Sequence, residues 1–124
     1  MLSCRIAVAS CFALVAGSGL AAEPTAAATQ EIQHLLSSLE TSGCQFNRNG
    51  SWYSGKEARN HLQQKYDYLL GKGMLSTAES FVELGASASS ASGKPYQVRC
   101  PGDAAPRTSA AWFRAELDRY RSKR

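Results

Sequence analysis

The side chains with most chemistry to offer fall in two groups: Glu57, His61, Lys65 and Tyr68 in one run, and Ser89, Ser92, Gly93, Tyr96 and Arg99 in another. His61 stands four residues after Glu57, the helical spacing of a base and its orienting carboxylate, and Ser89 or Ser92 would then supply a nucleophilic hydroxyl. That reading makes a small hydrolase. No nucleophile elbow accompanies it, however, and Glu and His one helical turn apart are common without catalysis, so no catalytic residue is assigned. A binding surface suits the same residues better. Lys65 and Arg99 are cations, the serines and Gly93 offer hydroxyls and backbone donors, and the tyrosine faces suit an anionic or sugar-like ligand, or a loop of a partner protein. The structural alternative for the first run is a capped helix in which Glu57 and His61 pair locally and the aromatics belong to the core.

The first group rides on a helix whose start and period are both legible. Ser54, Gly55, Lys56 and Glu57 form a capping box, and Ala58, Leu62, Tyr66 and Leu69 recur at the helical period as far as about Leu70. His61, Lys65 and Tyr68 then make a second stripe beside the buried one. The second group is a loop that feeds a strand: small hydroxyl residues from Ser87 to Ser92, a turn at Gly93, Lys94 and Pro95, and alternation from Tyr96 through Val98 to Cys100. The expectation is that loop and helix stripe face one groove.

The other elements follow in order. A helix is expected from about Gln30 to Thr41, with Ile32, Leu35, Leu36 and Leu39 on one face, His34 beside it as a partly buried structural histidine, and Gly43 as its stop. Asn49 and Gly50, between Cys44 and Tyr53, carry the hairpin signal, because both tolerate positive φ. Gly71 and Gly73 break the second helix. Ser76 and Glu79 repeat the capping-box spacing for a short third helix with Phe81, Val82 and Leu84 as its apolar contacts. After a turn at Pro101, Gly102 and Asp103, Thr108 or Ser109 caps a fourth helix. Trp112, Phe113, Leu117 and Tyr120 face inward there, and Arg114, Arg119, Arg121, Lys123 and Arg124 give a solvated basic end. The fold class is α+β: a small single domain, about four helices on a short, mostly antiparallel three-stranded sheet.

Residues 1–22 read as a cleavable signal peptide, with one charge at Arg5, an apolar run from Ile6 to Ala16 and small residues to Ala22. The run is shorter than a membrane span, and no stable anchor is expected after cleavage. Residues 23–29, rich in Ala and Thr, read as a tether, and 30–124 as the domain. Without Arg5 the formal charge drops from +4 to +3, and with no long basic run nucleic acid is not an expected partner. Cys4 and Cys11 leave with the leader. Cys44 and Cys100 remain, and in an oxidising compartment they are expected to form one disulfide. They lack the CxxC spacing of a redox pair, and with two scattered histidines they make no metal set; no cofactor is expected.

Asn49, Gly50, Tyr53, Glu57, Ala58, His61, Leu62, Lys65, Tyr66 and Tyr68, then Phe81, Ser89, Ser92, Gly93, Pro95, Tyr96, Val98 and Cys100, with Trp112 and Leu117, resemble the YfeK-like family of small exported proteobacterial proteins. HLxxKYxY and SGxPYxVxC are the most specific segments. The resemblance implies a periplasmic protein and transfers no catalytic residue. Ser92, Gly93 and Tyr96 also fit SGxxY, a motif similar to the inhibitory loop of periplasmic lysozyme inhibitors. That implies lysozyme inhibition as an alternative function, although those inhibitors are largely β-structured and a basic lysozyme would repel this basic chain.

Overall fold

The computed structural model describes residues 23–124; the expected signal peptide lies outside them. Four helices, α1 (Ala26–Thr41), α2 (Gly55–Gly71), α3 (Ala78–Gly85) and α4 (Ser109–Ser122), accompany four strands, β1 (Gln45–Arg48), β2 (Ser51–Ser54), β3 (Gln97–Arg99) and β4 (Arg107–Thr108). The strands form one antiparallel sheet in the order β2-β1-β3-β4. Three strands were expected. The fourth is two polar residues long and exists only by pairing with β3, so no alternation announces it.

Side-chain alternation decides which face the helices cover. Phe46 and Val98 are register partners and are buried on the helix side, whereas Gln45, Gln97 and Arg99 point the other way and are exposed. The core is then continuous: Ile32, Leu35, Leu36 and Leu39 of α1 meet Ala58, Leu62, Tyr66 and Leu69 of α2, Phe81 and Val82 of α3, and Trp112, Phe113 and Leu117 of α4. These are the expected inward faces. Leu84, 42% exposed, and Tyr120, only half-buried, are the exceptions.

Helix starts follow from caps. Ser54 and Glu57 make the expected reciprocal box. In α3 the box is Thr77 with Ser80, one residue later than the Ser76 and Glu79 pairing read from spacing. α1 begins at Ala26, capped by the Thr25 hydroxyl, so four residues expected in a tether are helical; alanine is the strongest helix former and needs only that cap. Asn49 (φ 51°) and Gly50 (φ 85°) both take left-handed backbone, as a two-residue hairpin turn requires.

Charged groups between α1 and α4 are matched. Glu31, buried on α1, accepts hydrogen bonds from Arg121 and Arg124, and Arg121 also pairs with Glu79. His34 stacks on Tyr120 at 4.1 Å and bonds Glu116 at 2.9 Å, the expected structural role. The Arg121 hydrogen bond, working against burial, holds the Glu31 carboxyl below its usual 4.5. A depressed carboxylate stabilises the fold above its unfolded pKa and loses that contribution as pH falls through the folded value. Urea titrations should therefore give a free energy that declines below about pH 4.5, and Glu31→Gln should flatten that decline; an unchanged slope would count against the clamp.

Candidate functional site

One ladder carries both the staple and the candidate site. In β1 and β3, Gln45 faces Arg99, Phe46 faces Val98 and Asn47 faces Gln97. One step beyond one end, Cys44 and Cys100 are opposite each other and joined in the expected disulfide. One step beyond the other end, the same register puts Arg48 opposite Tyr96. Period two places Arg48 on the face of Phe46, and Tyr96 on the face of Val98. Both therefore point toward α2, where His61 and Lys65 lie one turn apart.

These four side chains converge. Lys65 Nζ donates to the Tyr96 hydroxyl at 3.1 Å and to the Ala88 carbonyl at 3.0 Å, and it lies 4.9 Å from the centre of the Tyr96 ring. Arg48 Nη1 is 2.6 Å from His61 Nδ1 and 3.2 Å from Nε2. A guanidinium can only donate, so the closer ring nitrogen, Nδ1, accepts and the proton of the neutral imidazole sits on Nε2. Nε2–H then donates to the Tyr96 oxygen at 3.2 Å. Tyr96 thus accepts from two donors, and its own hydroxyl proton has no acceptor within this cluster. The guanidinium of Arg48 also lies over the Tyr53 ring, 5.2 Å from its centre.

The electrostatics are one-sided. Burial first, then the charges of Arg48 and Lys65, push His61 below its usual 6.5. Burial and then Arg48 likewise lower Lys65 from its usual value. Burial raises the Tyr96 phenol, so it stays protonated, with Arg48 opposing. Neither Arg48 nor Lys65 forms an ion pair among the described residues, although Glu31, Glu40, Glu79, Asp103 and Glu116 all do. Glu57, at the edge of the groove, is engaged by Ser54 in the capping box rather than by His61. The expected Glu57 and His61 pair is therefore not formed.

Three recesses meet at His61. One of about 380 Å³ includes Arg48, Tyr53 and Gln64; a second of about 430 Å³ includes Arg48, Lys65, Ser89 and Tyr96; a third of about 190 Å³ includes Lys65, Tyr68 and Leu84. The loop and the helix stripe thus share one groove, as expected. Gly93, at φ 73°, turns that loop, and Tyr68 is 63% exposed at the groove's far end.

The loop serines face a different task. Ser89 is buried, and its hydroxyl accepts from the Ala91 and Ser92 amides and from Asn49 Nδ2. Ser92 donates to Asn49 Oδ1 at 2.6 Å and accepts from the Lys94 amide. Both hydroxyls latch the loop to the hairpin turn. Within SGxxY, Ser92 and Gly93 are exposed while Tyr96 is buried and turned toward α2.

Arg99 is outside the groove, on the opposite sheet face near Cys100 and Gly102. Its alternation with Val98 requires this. Arg48 takes the cationic place given to Arg99, and the signal for it was the face shared by Cys44, Phe46 and Arg48. Asn49 and Tyr53 were read for their place in the hairpin and in the family resemblance, not as site residues. Among the described residues, no group of three or more His, Cys, Asp or Glu side chains is placed to hold a metal ion, and no helix is long and apolar enough to cross a membrane.

No curated protein and no solved structure matches this chain. A family model does, across residues 26–121, from the first turn of α1 to the last turn of α4, so the whole folded unit that builds the groove is covered. On that match the chain belongs to DUF5329, a family of unknown function.

Proposed function

We propose that this DUF5329 chain is an exported, YfeK-like periplasmic protein whose groove beside α2 captures an anionic ligand without transforming it. Export is supported by the leader-like first 22 residues together with the Cys44–Cys100 disulfide, a bond that persists in oxidising compartments. Binding is supported by one observation above the others. Arg48 and Lys65 bring two positive charges to a single His61–Tyr96 pair, with donors directed into the cluster and no carboxylate among them. An anion would neutralise both cations and accept from the Tyr96 hydroxyl.

Catalysis fits less well. His61 Nδ1 is occupied by Arg48, Nε2 carries the proton, and Ser89 and Ser92 are engaged in the loop, which leaves neither a free base nor a free nucleophile.

Sulfate, whose charge is constant over the working range, is a suitable probe. Titrated into isotope-labelled protein, it should shift the His61 ring resonances saturably and raise the His61 pKa. Affinity should increase as pH falls through that pKa, because a protonated imidazole binds an anion more tightly. Arg48→Met and Lys65→Met should each weaken binding by about tenfold or more, the size expected for a charge-assisted hydrogen bond. A His61 signal that sulfate leaves unmoved, or variants that bind sulfate as tightly as the native protein, would refute the anion site.

A further inference from the structure

The groove does not end at its cations. The recess of about 190 Å³ is bordered by His61 and Lys65, and its remaining walls are Gln64, Tyr68, Leu69, Leu84 and Ser90. Tyr68 is 63% exposed and Leu84 42%, yet they come from different helices, α2 and α3, and meet across this one recess. Tyr68 is three residues beyond Lys65, so the apolar wall begins one helical turn from the ammonium.

On the basis of the anion-binding reading above, we propose that the ligand is a small amphiphilic anion: a charged head between Arg48 and Lys65, carrying one short aryl or alkyl arm that lies between Tyr68 and Leu84. Continuity supplies the argument. Three residues, His61, Lys65 and Ser90, line both the cationic recess and the apolar one, so a head held by Lys65 directs its substituent toward Tyr68. Size supplies the limit. A cavity of about 150 Å³ holds benzene, so this recess suits one ring or a short chain and is too small for the paired acyl chains of a lipid. Covering Tyr68 and Leu84 would also remove two large apolar side chains from water, a gain that a bare inorganic anion cannot make.

Methyl phosphate and phenyl phosphate separate head from arm, because both are dianions at pH 8 and differ only in the substituent. Calorimetric titration of the full chain should give about tenfold tighter binding for phenyl phosphate, the effect of partly burying one ring. Tyr68→Ala combined with Leu84→Ser should erase that difference and leave methyl phosphate affinity unchanged. Both residues are exposed, so the fold should survive, and Tyr68→Ser alone gives a second reading at half the change. Equal affinities in the native protein, with methyl phosphate still bound, would overturn the apolar subsite but keep the anion site. Failure of both phosphates to bind would overturn the two together. Sedimentation with phosphatidylglycerol vesicles, abolished by phenyl phosphate, would assign the amphiphile to a lipid and overturn the free small molecule.

Discussion

Replacing both Cys44 and Cys100 by serine should lower the unfolding free energy by about 4 kcal/mol, because their bridge spans 56 positions and closes more than half of the described chain in the unfolded state. Domains of this size are stable by only about 5 to 15 kcal/mol, and each kcal/mol shifts the melting temperature by about 4 to 8 °C, so a fall of more than 15 °C is expected. The consequence should extend to the groove. The bridge fixes one end of the β1–β3 ladder whose other end puts Arg48 opposite Tyr96, with Phe46 and Tyr96 rings 4.9 Å apart between them. Loosening that register by one residue would turn Arg48 away from α2. Urea unfolding of the double variant, alongside native protein with and without reductant, checks this; a difference under about 1 kcal/mol would mean that the unfolded chain is already restricted without the bridge.

What was legible in the sequence was whatever repeats or caps. The stripe of Ala58, Leu62, Tyr66 and Leu69, the Ser54 and Glu57 box and the Asn49 and Gly50 turn each carry a local signal that the structure keeps. The pairing of Cys44 with Cys100 followed from counting. Elements without a period were not legible. β4 is a strand only because Thr108 faces Gln97 and Arg107 faces Val98, a tertiary fact that two residues cannot encode. The start of α1 was missed because Ala and Thr in sequence suit a tether and a helix equally, until Thr25 is seen capping Ala28.

The groove was legible in outline and misread in its charges. His61, Lys65, Tyr68 and Tyr96 gather there, but each polar group can serve few partners at once. Glu57 cannot both close the capping box and orient His61, and it does the first. Ser89 and Ser92 cannot both latch Asn49 and greet a ligand with free hydroxyls. Arg99 was assigned to the groove as a cation, although odd and even positions of a strand face opposite ways. Arg48 is 17 residues from Lys65 in sequence, and only the hairpin's pairing to β3 reveals that they share a site.

Gly55→Ala should destabilise the domain by about 3 kcal/mol, at the upper end of overpacking effects, through a contact that no side chain can relieve. Gly55 is the first residue of α2 and is buried against the end of α1, where a methyl group would come 2.4 Å from the Leu39 carbonyl oxygen and 3.2 Å from that of Glu40. Both obstacles are backbone. The start of α2 would have to move off α1, and with it the helix that aims His61 and Lys65 at Tyr96, so sulfate affinity should fall together with stability. Gly71→Ala provides the comparison, since a methyl at that end of α2 meets nothing within 4 Å. There the change should be neutral or stabilising by up to about 1 kcal/mol, the ordinary advantage of alanine over glycine in a helix. Equal unfolding free energies for the two variants would show that α1 and α2 can slide past each other freely, and that the close approach at Leu39 does not set the position of the site.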